Sequence, residues 1–133
     1  MHPDYDRADA LSKRVIGAAI EVNRKMGPGL IESIYEKCLM RELELQAMPA
    51  TNQLVVPIEY KGVTFEEPLR LDVLVDACLL LELKSVEKVH PIHTAQFLSY
   101  MKLLNVPIGL IFNFHELQLR DGIYRMILPG VNR

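Results

Sequence analysis

The chain predicts a mixed α/β (α+β) fold, a central mixed sheet flanked by helices, and three observations carry that prediction. Apolar residues follow helical spacing up to about residue 46 and strand spacing from residue 54 onward. Proline and glycine punctuate the junctions, at Gly27-Pro28-Gly29, at Met48-Pro49 and at Pro107. One helical segment lies between two strongly apolar strand segments, which predicts a parallel strand pair within the sheet.

The first helix is expected over residues 8–25, with Ala10, Leu11, Val15, Ile16, Ala18, Ala19, Ile20 and Val22 at helical spacing. Gly27-Pro28-Gly29 stops it, because proline cannot continue a helix and glycine permits a reversed backbone. A second helix should run over residues 30–46, with Ile31, Ile34, Tyr35, Cys38, Leu39 and Leu43 as its inner stripe. Pro49 ends it. Leu54, Val56 and Ile58 then alternate with polar residues, residues 60–63 supply a turn, and residues 63–67 form the return strand. Residues 69–84 read as a hairpin turning at Asp76, Ala77 and Cys78. Pro91 opens a third helix that ends before Pro107. Residues 108–114 form a strand buried on both faces, and residues 117–128 a final strand pair around Asp121-Gly122.

With 133 residues, 50% of them hydrophobic and 24% charged, the chain is expected to be one globular domain over 1–133, with a loose start at residues 1–7. The longest uncharged apolar run near its centre, residues 77–81, is far too short to cross a bilayer. No secretory signal pattern opens the chain, and Cys38 and Cys78 stand apart in apolar contexts, so a cytoplasmic, reduced protein is expected. The formal net charge of −2 argues against a broad phosphate-binding surface, though Lys84, Lys88 and Lys102 could form a local basic patch. The four histidines have no ligand-pair spacing, no serine sits in a GxSxG context, and no glycine-rich phosphate loop follows a strand.

The informative charges are Asp72, Glu82 and Lys84, set among Val73, Leu74, Val75, Leu79, Leu80, Leu81 and Leu83. Charges in buried strands are costly unless paired, hydrogen-bonded or bound to metal. A three-residue turn at 76–78 places Asp72 opposite Glu82, and strand alternation puts Glu82 and Lys84 on one face with Leu80. Two carboxylates facing across a ladder repel, and a divalent cation relieves that repulsion. A lysine two residues along suits a developing oxyanion. The bland alternative is an edge ion pair of Glu82 with Lys84, with Asp72 capping something local.

Other candidates lie on the helices. Gln96 and Tyr100 share a face of the third helix, so Gln96 could orient a ligand or water; otherwise it is a polar flank. Glu32 and Tyr35 are one turn apart on the second helix. The helix dipole alone explains Glu32, and a place in a metal site is the sharper alternative. Glu36 and Glu42 read as solvated. Glu32 and Gln96 should border the carboxylates from opposite sides.

The stretch from Ala18 to Glu36, and within it Gly29, Glu32 and Tyr35, resembles the signature of the bacterial GxxExxY proteins, a family placed in the PD-(D/E)xK nuclease superfamily. Asp72 matches the acidic residue of that superfamily's first half-motif, Glu82-Leu83-Lys84 the second, and Gln96 with Tyr100 the QxxxY element. Leu71 stands where a proline can precede the aspartate, and Asn23 where many GxxExxY members carry histidine. The resemblance implies a restriction-endonuclease-like core and a metal-dependent nuclease acting on nucleic acid, DNA ahead of RNA. Asp72, Glu82 and the Leu83 carbonyl would hold Mg²⁺ (or Mn²⁺). Lys84 would position water or stabilise the phosphate, Gln96 would orient water or substrate, Glu32 would complete the site, and Tyr35 and Tyr100 would support it. The rivals are a non-catalytic nucleic-acid-binding or regulatory module with a vestigial site, and a hydrolase of small nucleotides. Residues 117–128, as an apolar pair at a sheet edge, also suggest a homodimer.

Overall fold

The computed structural model describes residues 1–132. Helices α1 (Tyr5–Met26) and α2 (Glu32–Leu45) precede strands β1 (Ala50–Tyr60), β2 (Val63–Val75) and β3 (Leu79–Lys84). Helix α3 (Pro91–Leu104), strand β4 (Ile108–Asn113), a 3-10 turn (Leu119–Gly122) and strand β5 (Ile123–Ile127) complete the order. The five strands form one mixed sheet in the order β1-β2-β3-β4-β5. β3 and β4 are parallel and joined through α3, while the other neighbours are antiparallel.

The expected mixed sheet with flanking helices is therefore present, and two apolar layers fill it. On one face Leu11, Val15, Ala18, Val22, Tyr35, Leu39 and Leu43 from α1 and α2 meet Val73, Val75, Leu79, Leu81, Leu83, Leu110 and Phe112. On the other, Phe97 and Met101 of α3 meet Leu71, Leu80 and Ile111. β4 is buried along its whole length, as an apolar strand covered on both faces must be. Gly27 and Gly29, with φ of 77° and 83°, turn the chain from α1 into α2, where glycine alone is unstrained.

Several boundaries differ from expectation. α1 opens at Tyr5, because the His2 N–H donates to Val131 O at 2.9 Å and the Asp4 N–H donates to His2 Nδ1 at 3.0 Å, tying down the start expected to be loose. Ala10, Ile20, Ile31 and Ile34 are exposed, so the buried stripes of both helices are narrower than the apolar spacing suggested. The return strand does not stop at residue 67 but runs on through Pro68 to Val75 as β2. β1 and β2 continue beyond β3 as a two-stranded ribbon, closed by Lys61 and Gly62, both at positive φ, the pattern of a tight hairpin turn.

The final strand pair is not formed. Leu117 is 84% exposed, and residues 119–122 wind into the 3-10 turn. Only β5 is a strand, and its partner is β4, with Phe112 opposite Ile123. Asp121-Gly122 is no hairpin turn: a Cβ on Gly122 would lie 2.6 Å from Asn113 O, so glycine serves close packing against the end of β4. Asn23, where the family pattern suggested histidine, accepts the Leu119 N–H at 3.3 Å and caps this turn.

Gly109 plays a similar part beneath α3. A Cβ there would lie 2.6 Å from Phe97 Cζ and 2.9 Å from Met101 Sδ, both fully buried. Gly109→Ala should therefore destabilise the protein by about 1–3 kcal/mol through overpacking, read as a lower urea midpoint at unchanged slope.

Candidate active site

The site lies where β2 and β3 separate. Their ladder holds three pairs, Val75 with Leu79, Leu74 with Leu80 and Val73 with Leu81, across the expected three-residue turn. Asp76 and Ala77 carry that turn at φ of 47° and 57°. The next pair in register would be Asp72 with Glu82, but no backbone bridge forms there. Instead Asp72 Oδ2 accepts the Leu83 N–H at 2.8 Å. The side chain thus supplies the acceptor that a continued ladder would have offered, and the carboxylate is fixed at the fork.

Glu82 follows the last pair on β3, on the face away from Leu81 and Leu83. Its Oε2 is buried and has no hydrogen-bond partner among the described residues. Burial raises the Glu82 carboxyl to about 7, Lys84 opposes the shift, and the Asp72 and Glu32 charges add to it. The Asp72 carboxyl is also raised, by burial first; the Leu83 N–H opposes, Glu36 and Glu32 add to the rise, and Lys84 opposes. Tyr100 reaches this charge from α3, its phenol raised by burial and then by Glu82 and Asp72.

Glu32 arrives from the other side through a pinned loop. Tyr35 is fully buried, stacks on Phe114 with centroids 4.2 Å apart, donates its hydroxyl to Gly27 O at 2.6 Å and accepts the Leu30 N–H at 2.9 Å. Ser85 Oγ donates to Leu30 O at 2.6 Å, and the Gly29 N–H donates to Phe114 O at 3.1 Å. The start of α2 is thereby fastened to the ends of β3 and β4, and Glu32 Oε1 accepts the Ser85 N–H at 3.3 Å. An open cavity of about 380 Å³ lies there, lined by Glu32, Ser33, Glu36, Gln53, Asp72 and Leu83.

Asp72, Glu82, Lys84, Glu32 and Tyr100 thus share one electrostatic neighbourhood, and Tyr35 acts from beneath it. Gln96 is exposed on α3, one turn before Tyr100, and no hydrogen bond among the described residues ties it to the carboxylates. Glu36, expected to be solvated, is half-buried and lines the cavity, and Ser85 was not singled out. Glu36 stands one helical turn after Glu32, a spacing that puts both on one face, and Ser85 directly follows Lys84 at the strand end.

Hard carboxylate oxygens, one of them without a partner among the described residues, suit a hard divalent cation, and the Leu83 carbonyl belongs to the same strand end. Among the described residues no group of three His, Cys, Asp or Glu side chains is arranged as a metal cage, so such an ion would keep much of its water. No helix of the described residues is long and apolar enough to cross a membrane.

Compared with known proteins, residues 9–126 match the family model of the PD-(D/E)XK nuclease superfamily. No curated protein and no solved structure matches the chain.

Glu82 makes a testable contribution to stability. Its folded carboxyl titrates at about 7, above the ordinary 4.5, so folding favours the protonated form. That stability is complete below about 4.5 and is lost as pH rises through about 7. In chelator, Glu82→Gln should raise the melting temperature by a few degrees at pH 8 and change it little at pH 4.5, as followed by circular dichroism.

Proposed function

Because the chain belongs to the PD-(D/E)XK nuclease superfamily, we propose that it hydrolyses phosphodiester bonds in nucleic acid, with Mg²⁺ or Mn²⁺ held by Asp72 and Glu82. The observation that carries this reading is the buried Glu82 Oε2, without a hydrogen-bond partner among the described residues, beside an Asp72 carboxylate fixed by the Leu83 N–H. The Gly29, Glu32 and Tyr35 spacing supports a finer placement among the GxxExxY proteins.

Asp72 and Glu82 would hold the ion, with the Leu83 carbonyl as a further ligand, and the ion would supply Lewis acidity that offsets phosphate charge and acidifies water nearby. Lys84, on the same strand face as Glu82, directs its ammonium at the place where phosphate charge develops. Glu32, held through the Ser85 N–H, accepts hydrogen bonds from water entering the cavity. Gln96 is kept as the residue that orients substrate or water, from a position open to an incoming strand. DNA stands ahead of RNA as substrate, a cytoplasmic setting agrees with the unpaired Cys38 and Cys78, and a homodimer would enlarge a surface of net charge −2.

The absence of a three-ligand cage among the described residues favours, as a second reading, a vestigial site on a nucleic-acid-binding or regulatory module. Calorimetry with Mn²⁺ and a panel of labelled single- and double-stranded DNA and RNA separates the two. The catalytic reading expects Lys84→Ala to lose activity by about 10²–10³-fold while still binding Mn²⁺. Asp72→Ala should lose both. A wild-type protein that binds neither Mn²⁺ nor Mg²⁺ supports the vestigial reading and overturns the catalytic one.

Divalent binding should also depend on pH. Since the Glu82 carboxyl titrates at about 7 without an ion, Mn²⁺ affinity should fall by up to about tenfold per pH unit below that value. Calorimetry at pH 5.5 and 7.5 measures the fall, and Glu82→Gln should bind weakly at both.

A further inference from the structure

We propose that Glu36 and Gln53 form a clamp that holds Asp72 at the fork between β2 and β3, which makes both of them positioning residues. The clamp deepens the nuclease reading above and rests on it for its purpose, though not for its geometry. Three features meet at one step of the sheet.

The first is a pair of hydrogen bonds. Asn52 Nδ2 donates to Glu36 Oε2 at 3.1 Å and Gln53 Nε2 donates to Glu36 Oε1 at 2.7 Å, so both oxygens of one α2 carboxylate grip consecutive residues of β1. The second is backbone strain. Gln53 has φ of 51°, a left-handed conformation that a strand residue with a side chain adopts only when its surroundings impose it. The third is the ladder. Asn52 pairs with Val73 and Leu54 with Leu71, yet no pair joins Gln53 to Asp72 between them.

Both strands change faces at that gap. Ala50, Val73 and Val75 pack on the α1–α2 side, whereas Leu54, Val56 and Leu71 pack on the α3 side. In regular strands Val73 and Leu71, two residues apart, would share a face. The step therefore reorients the chain at Asp72, leaves that residue outside the β1 ladder, and lets its carboxylate reach the Leu83 N–H. Without a partner for its side chain, Gln53 would relax toward ordinary strand geometry. Asp72 would then rejoin the ladder and turn away from Leu83.

The bland account makes Glu36 a surface acid that meets two amides by proximity. It leaves unexplained why the two held side chains belong to the left-handed residue and its neighbour Asn52, and why the ladder gap falls opposite Asp72.

The Leu83 amide reports the outcome without any metal. In metal-free protein, Glu36→Ala should speed exchange of the Leu83 amide by about five- to tenfold and shift its proton resonance upfield, while the Leu81 and Phe112 amides keep their protection. Gly tolerates the left-handed conformation unaided, so Glu36→Ala combined with Gln53→Gly should restore the Leu83 amide toward wild type. Mn²⁺ affinity, read by calorimetry, should fall in Glu36→Ala and recover in part in that double variant. An unchanged Leu83 amide in Glu36→Ala overturns the clamp, as does a double variant no better than the single one. If Glu36→Ala does not fold, Glu36→Gln takes its place, since it keeps one acceptor and loses the charge; wild-type Leu83 exchange in Gln53→Ala would then overturn the proposal. A wild-type protein that binds no Mn²⁺ refutes the nuclease reading alone, because the Leu83 amide still judges the clamp.

Discussion

The hydrogen bond from the Leu83 N–H to Asp72 is the interaction on which the rest of the site depends. A backbone donor inside a sheet must find an acceptor, and here a carboxylate takes the place of the next strand's carbonyl. That substitution ends the β2–β3 ladder at Val73 and Leu81 and fixes an acid between two apolar layers. β2 is released to continue with β1 alone, so the ribbon and the site arise from the same event. Glu82 then sits just past the last pair, too buried to be fully hydrated and, among the described residues, without a donor for Oε2.

Much of this was legible in the sequence because it depends on spacing. Pro91 and Pro107 bracket α3, the Asp76–Cys78 turn has three residues as expected, and the apolar run at 108–113 became the buried strand β4. The parity argument placed Asp72 beside Glu82, but for a reason only half right: regular alternation fails at Asp72, where Leu71 and Val73 face opposite layers. No local pattern announces that break. Gln53 is not a residue type that signals positive φ, and its partner Glu36 lies on another element. Residues 117–128 misled for a related reason. Asp121-Gly122 between apolar residues resembles a hairpin turn, whereas Gly122 is required by the approach of Asn113 O. Tertiary crowding and turn geometry select the same dipeptide.

The signature residues of α2 divide their work along physical lines. Gly29 takes the positive φ that the sharp entry to α2 needs. Tyr35 contributes no group to the cavity; its ring stacks on Phe114 and its hydroxyl fills two backbone hydrogen-bonding needs in the entry loop. Glu32 alone faces the carboxylates. A glycine, an acid and a tyrosine at fixed spacing are therefore one device: a turn, a lock and a charge brought over the fork. Its reach extends through Ser85, which binds the loop to the end of β3.

The same arrangement sets stability against reactivity. Asp72, Glu82, Glu32 and Glu36 crowd negative charge into a small region, with Lys84 opposing it for the half-buried Asp72 and Glu82. Without an ion the cheapest relief is a proton: burial first, then the Asp72 and Glu32 charges against the opposing Lys84, push the Glu82 carboxyl up to about 7. A divalent cation bound there would compete with that proton and would recover the cost of burying and crowding the carboxylates. It also bears on how a chain of net charge −2 could approach a polyanion at all. Repulsion between phosphate and this cluster is strongest when the carboxylates are bare and weakest when a cation sits among them. On the proposed nuclease reading, loading the site and admitting the substrate would then be coupled electrostatically at the fork beside Asp72.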